Sequence, residues 1–206
     1  MLARYECIMG ETGQHGQLTR RAFMFLHGVM EVNFECFASP LNWQTGSYCS
    51  AFNDCDHWFG SQGSFYDFMP TEDGSFEVNP PFMIHGCAVE DHLEEIFRGC
   101  EDQGYERFAL SFVLVFPSSH YIDCTVKNHW VLSKLGGKVK KKIVLGKSMH
   151  QYFRGNQHEL NQPEAAVMNA NQDTTIYILQ NERGLAKYSG HRHPDFDRGI
   201  KEAFKL

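Results

Sequence analysis

Residues 108–116, FALSFVLVF, limit what this chain can fold into more than any other stretch. They are apolar almost throughout, and Pro117 follows at once. Proline lacks the N–H that a ladder needs, so the strand ends there. A strand with one wet face would alternate apolar and polar residues. This one does not, so it is expected at the centre of a sheet, buried on both faces like a central parallel strand. Such a strand needs cover above and below. Leu18, Ala22, Phe25, Leu26 and Val29 recur at helical spacing and predict a helix over residues 18–30. Val89, Leu93, Ile96, Phe97 and Cys100 predict a second, and Phe196, Ile200 and Phe204, following Pro194, a third.

Shorter strands are expected at 32–37 (VNFECF), 64–68 (SFYDF) and 75–78 (SFEV), then within KVKKKIVLG and at 174–179 (TTIYIL). Residues 43–63 are rich in Gly, Ser, Asn and Asp and read as loop with one helical turn at most. Residues 146–173 read as a long polar connection. The alternation of strand and helix predicts one α/β domain over 1–206, with helices on both faces of a single sheet. In open sheets of that kind ligands sit beyond the carboxyl ends of the strands. Both ASPLN (38–42) and NPPF (79–82) fall at such ends, and should face one crevice.

At 206 residues, 42% of them hydrophobic and seventeen of them Phe, the chain can bury a substantial core. No apolar run approaches membrane-spanning length, and residues 1–30 lack the basic-then-apolar layout of a secretory signal, so no membrane partner is expected. The seven cysteines are scattered, with no Cys-x-x-Cys, which argues against a disulfide framework or a zinc site and for a reducing compartment. His191 and His193 lack a third ligand at suitable spacing, and nothing orients His120 toward Cys124, so neither pair is read as a site. A net charge of −6 gives no global sign of nucleic-acid binding.

The chemistry concentrates in FEVNPPF, residues 76–82. Two prolines stop the strand and stiffen the corner that carries Asn79 and Phe82. The exocyclic amine of adenine donates its lone pair into the ring and is a poor nucleophile. Acceptors for its two hydrogens return density to nitrogen; the Asn79 side-chain oxygen and the Pro80 carbonyl can supply them. Phe82 offers a ring for the base, a contact worth about 1–3 kcal/mol in single-strand binders. The base must be unstacked to enter, and its amine aligned about 3 Å from an activated methyl. S-adenosylmethionine is the natural donor. The same tetrapeptide can also be plain strand-end punctuation.

The segments RYE (4–6), ECFASPLN (35–42), YCSAF (48–52), FGSQGSFYDF (59–68), GSFEVNPPF (74–82), SFVLVFP (111–117) and YILQNERGLAKY (177–188) resemble, in order and spacing, the methyltransferase core of the phosphorylated-CTD-interacting-factor family, the WW-domain proteins that methylate the adenosine next to the messenger RNA cap. The resemblance implies a Rossmann-like methyltransferase sheet with helices on both faces, S-adenosyl-L-methionine as donor, capped RNA as acceptor and residence in the nucleus. It assigns Asn79, Pro80, Pro81 and Phe82 to catalysis, with Asn79, Pro80 and Phe82 also touching the donor, and puts ECFASPLN on the cofactor side through Glu35, Phe37, Ser39 and Pro40. The chain departs from the family where Pro117 is followed by Ser118, Ser119 and His120 in place of Glu-Trp-Arg, and where Ile84 replaces an acid. The WW and helical domains are expected to be missing.

Asp67 joins Glu35 as a candidate for the donor's ribose or ammonium, as do Asp54 and Asp56, although a lone loop acid is more often simply solvated. On the substrate side stand Phe82, Ser119 and His120, with Lys138, Lys140 and Lys141 as phosphate contacts. Lysines on an edge strand also serve simply to prevent edge pairing. Three readings follow: an RNA adenine-N6 methyltransferase, most simply on the cap-adjacent adenosine; the same chemistry on uncapped RNA or DNA, with cap recognition lost or supplied by a partner chain; and a catalytically inactive RNA-binding homologue.

Overall fold

The computed structural model describes residues 1–9, 16–81, 86–102, 105–118, 134–154 and 166–205. In chain order the elements are α1 (Leu2–Met9), β1 (Gly16–Leu18), α2 (Arg20–Met30), β2 (Phe34–Glu35), α3 (Asn53–Asp56), β3 (Gly74–Val78), α4 (Gly86–Cys100), β4 (Glu101–Asp102), β5 (Tyr105–Glu106), β6 (Leu110–Pro117), β7 (Val139–Leu145), β8 (Gln151–Arg154), β9 (Val167–Asn169), β10 (Thr174–Gln180), α5 (Glu182–Lys187) and α6 (Phe196–Ala203).

The main sheet has the order β2-β3-β6-β10-β7. β2 and β6 each run parallel to β3, while β10 lies antiparallel to both β6 and β7. Four strands therefore share one direction, and β10 is inserted against them. Every residue of β6 is buried, as its unbroken apolar sequence requires. Its side chains alternate between two cores. Leu110, Phe112, Leu114 and Phe116 face the layer containing Val89, Leu93, Ile96 and Phe97 of α4. Val113 and Val115 face the layer containing Ala22, Phe23 and Leu26 of α2 and Phe196 and Ile200 of α6. Helices cover both faces.

Much of the phenylalanine is spent in the first core, where Phe76 and Phe112 stack with centroids 4.8 Å apart. Such a pair adds about 0.5–1.5 kcal/mol beyond its burial. Helix α2 begins at Arg20, two residues later than its apolar spacing suggests. The Thr19 side chain accepts the Ala22 N–H at 3.2 Å and caps it, while Leu18 belongs to β1.

Three expectations from the sequence are corrected: a strand at 64–68, a structureless connection over 146–173, and cysteines without a disulfide. Residues 65–67 form a 3-10 turn rather than a strand, because the Ser64 hydroxyl takes the Tyr66 N–H at 3.2 Å. Within 146–173 lie β8 and β9, which with β1 build a second, antiparallel sheet of order β1-β8-β9. Strands of three or four residues leave too little periodicity to read. Among the cysteines, Cys7, Cys36, Cys49, Cys55 and Cys100 are free, and Cys87 is disulfide-bonded. A scattered cysteine pattern says nothing of which thiols the fold brings together. Among the described residues no helix is long and apolar enough to cross a membrane.

Candidate active site

At the carboxyl ends of β2 and β3 lies a cavity of about 190 Å³. Glu35, Phe37, Ala38 and Asn42 wall one side, Glu77, Asn79 and Pro81 another, with Gly16 and Gln17 of β1 alongside. The two strand-end turns thus share one crevice. Short bridges, Glu35 to Tyr48 and Tyr48 to Ser61, extend the sheet edge into the loop that forms the third wall.

Asn79 stands at the centre of its wall, between Glu77 and Pro81. It follows β3 directly, is 8% exposed, and donates Nδ2–H to the Gly16 carbonyl at 2.7 Å. A carbonyl can only accept, so the amide nitrogen must face Gly16. That fixes Oδ1 on the other side, where it is buried with no partner among the described residues. A buried acceptor left unmade costs about 1–3 kcal/mol. Of the buried side-chain atoms in that state among the described residues, Asn79 Oδ1 is the one on the cavity wall.

The ASPLN turn closes on itself. Ser39 N–H and Oγ–H both donate to Asn42 Oδ1, at 2.8 and 2.9 Å, and the Gln17 side chain donates to the Asn42 carbonyl. Glu35 is 4% exposed; its Oε2 accepts the Gln44 N–H at 2.6 Å and the Thr45 N–H and hydroxyl at 3.1 Å each. Burial raises its pKa, against the pull of these donors. Glu77 pairs with Glu35 across the parallel ladder. Burial, then the neighbouring Glu35, push its carboxyl well above the ordinary range. Phe37, Phe65 and Tyr66 form an aromatic wall, with the Phe37 ring 4.8 Å from Phe65 and 6.3 Å from Tyr66.

An acid whose pKa is raised by folding stabilises the fold below its unfolded value, here near 4.5, and loses that contribution as pH rises through the folded value. Glu77→Gln is therefore expected to gain thermal stability over the parent as pH rises from about 5 to about 8, in the absence of ligand. Melting curves at both pH values check this; an equal difference at the two would refute it.

Of the residues singled out from sequence, Asn79, Pro81, Glu35 and Phe37 line the cavity. Pro80 is buried and stands outside the described lining. Ser39 and Pro40 also stand outside it; Ser39 acts on the cavity through Asn42. Asp67 is exposed and off the lining. Asp54 is held in an ion pair by Arg4 at 2.6 Å, and the fully buried Asp56 accepts the Tyr5 hydroxyl. Phe82, Ser119 and His120 lie outside the described residues.

The lysines are not brought to the cavity. They lie at β7, the edge of the sheet opposite β2, with Lys138 in the turn that leads into it. Each has an acidic partner: Lys138 meets Glu101 at 3.1 Å, Lys140 meets Glu182 at 2.8 Å and Lys141 meets Asp197 at 2.5 Å. Charge density in the sequence did not reveal those acids, which come from distant segments. Replacing Lys140 and Lys141 together by Ala is expected to leave the Kd for a single-stranded RNA probe within about twofold, since paired surface charges far from the cleft offer little to a phosphate. A tenfold rise would restore them as contacts.

Sequence reading passed over Glu77 and Asn42. Glu77 was detectable as an acid two residues before Asn79, at the end of the strand that leads into the corner. Gly16 and Gln17 reach the cavity only through the second sheet, for which no sequence signal exists. Among the described residues no group of three or more His, Cys, Asp and Glu is arranged to hold a metal.

A mixed sheet with one inserted antiparallel strand, helices on both faces and a cavity at its carboxyl ends is a Rossmann-like fold of the methyltransferase type. Residues 1–155 match the family described as Phosphorylated CTD interacting factor 1 WW domain. The chain belongs to that family. Two curated relatives are each described as an mRNA (2'-O-methyladenosine-N(6)-)-methyltransferase. The human protein is 34% identical over 195 residues, 92% of this chain and 26% of its own length. The mouse protein is 34% identical over 194 residues, 91% and 26%. The chain thus spans about a quarter of the length of these relatives.

Proposed function

We propose that this chain is an S-adenosylmethionine-dependent methyltransferase acting on adenine N6 of RNA, with the cap-adjacent adenosine of mRNA as the expected acceptor. The observation that carries this is the unpartnered Oδ1 of Asn79, buried beside an amide nitrogen already committed to Gly16. An incoming N–H donor would cancel the cost of that orphaned oxygen, and adenine N6 is such a donor. The names of the human and mouse relatives support the choice of substrate.

The residues present suit the donor. Buried carboxyls at Glu35 and Glu77 suit a ligand with hydroxyl donors and positive charge, and the rings of Phe37 and Tyr66 suit a flat base. When bound, S-adenosylmethionine supplies a methyl group activated by its sulfonium. Asn79 accepts one amine hydrogen, drawing density back onto nitrogen as the new bond forms; Gly16 keeps the amide from rotating away. No base is needed beforehand, because the amine proton becomes acidic only once nitrogen carries positive charge. The walls contribute alignment, the largest remaining requirement.

Cap recognition is assigned to residues beyond this cavity or to a partner chain, and nuclear residence is proposed on the likeness to the family alone. The test is a methyl-transfer assay on capped RNA, uncapped RNA and single-stranded DNA, with calorimetry of donor binding beside it. Transfer to adenine N6 of capped RNA above the other two is the expected result. Equal transfer to uncapped RNA or DNA would remove the cap from the proposal. Donor binding without transfer to any of them would leave an RNA-binding homologue.

A further inference from the structure

Glu77 is the last but one residue of β3 and Asn79 follows the strand directly; both line the cavity. The two carboxyls of this wall are not equivalent. Glu35 Oε2 is occupied by two backbone N–H groups and a hydroxyl. No described hydrogen bond reaches the Glu77 carboxyl, although the residue is only 4% exposed. The described cavity lining contains no Lys, Arg or His. The other ionisable groups facing this point are the phenols of Tyr5, Tyr66 and Tyr152 and the thiols of Cys36 and Cys49, none of which brings positive charge. Beside it stands the orphaned Oδ1 of Asn79. The wall thus offers an unspent acid and an unspent acceptor side by side, and lacks a cation for the acid.

We propose that Glu77 seats the sulfonium of the methyl donor, and that it is the residue by which this protein distinguishes S-adenosylmethionine from the demethylated product, S-adenosylhomocysteine. This rests on the methyltransferase reading above and deepens it. A methyl aligned with an amine held at Asn79 has its sulfur within a few ångströms of that residue, and Glu77, two residues earlier on the same cavity wall, is the acid there that no described hydrogen bond occupies. During transfer the nitrogen–carbon bond forms and the carbon–sulfur bond breaks, with its electron pair left on sulfur. The positive charge passes to the amine nitrogen, which then releases a proton to water. Sulfur ends as a neutral thioether, so the attraction to Glu77 ends with the reaction and product leaves more readily than donor. An anionic ligand such as a nucleoside triphosphate is rejected by the same wall.

Calorimetry without RNA tests this, using the parent protein, Glu77→Gln and, as a control, Glu35→Gln. In Glu77→Gln, S-adenosylmethionine affinity is expected to fall about tenfold or more, and S-adenosylhomocysteine affinity to change less than about threefold, since only the first carries the charge that a carboxylate attracts. Glu35→Gln is expected to weaken both alike. An unchanged ratio of the two affinities in a folded Glu77→Gln overturns the assignment and leaves the methyltransferase reading standing. A parent protein that binds neither ligand overturns both together. The parent alone gives a second measurement. S-adenosylmethionine binding should release a proton and tighten with rising pH, as buffers of different ionisation enthalpy reveal, while S-adenosylhomocysteine binding should do neither. Equal proton release for the two ligands counts against the proposal, whatever the variant does.

Discussion

Asn79→Ala is expected to lower single-turnover methyl transfer by about 10²–10³-fold while donor affinity stays within about tenfold. The asymmetry follows from where the lost oxygen acts. In the ground state the adenine amine is nearly neutral and its hydrogen bond to Oδ1 is ordinary. As the new bond forms, nitrogen turns cationic and its hydrogens become stronger donors, so the same bond gains in the transition state and catalysis loses more than binding. Alanine also releases the Gly16 carbonyl, bonded to Nδ2 at 2.7 Å, but Gly16 itself is only half-buried. Asn79→Asp is a useful companion. It keeps an oxygen acceptor but loses the donor that anchors it to Gly16, so an intermediate rate is expected. Wild-type turnover in Asn79→Ala, with folding confirmed by melting, would remove Asn79 from the chemistry.

How much of this was legible in the sequence depended on the range of the forces involved. The strand 110–117 and helix 86–100 are written in apolar spacing, because a continuous core must be supplied by residues that recur locally. Asn79 was legible for a related reason: two prolines in succession mark a rigid strand end. Electrostatic neighbourhood was not legible. Lys140 and Glu182 are separated by 42 residues and meet at 2.8 Å, which turns a basic stretch into a paired edge. Nor was the anchor of Asn79, since Gly16 lies 63 residues away on a strand of three residues that no periodicity could announce. Glu77 lies between these cases. Its place two residues before Asn79 was plain, but its significance required knowing that Glu35 sits across the ladder with its oxygen already occupied.

The largest effect on stability is expected away from the cavity, at Asn181. This residue is 2% exposed and caps α5 by accepting the Gly184 N–H at 2.8 Å. The same oxygen accepts the Leu110 N–H at 2.9 Å, and Nδ2 donates to the Phe108 carbonyl at 2.7 Å. One side chain therefore satisfies three backbone groups where β6 begins and β10 ends. Helix α5 lies so close to β6 that a Cβ on Gly184 would come within 2.0 Å of the Leu110 carbonyl oxygen, leaving no room for water to replace the amide. Asn181→Ala removes a cap, worth about 0.5–2 kcal/mol, and leaves buried groups unmade at about 1–3 kcal/mol each. A net loss of about 3–4 kcal/mol is expected, a large part of the roughly 5–15 kcal/mol that holds a domain together, with a fall in Tm of about 10 °C. Because β6 carries β3, and β3 carries Asn79, activity should fall only as the folded fraction falls. The Km and kcat of the folded variant at low temperature should match the parent, and a changed donor KM there would show that Asn181 reaches the cavity through the sheet.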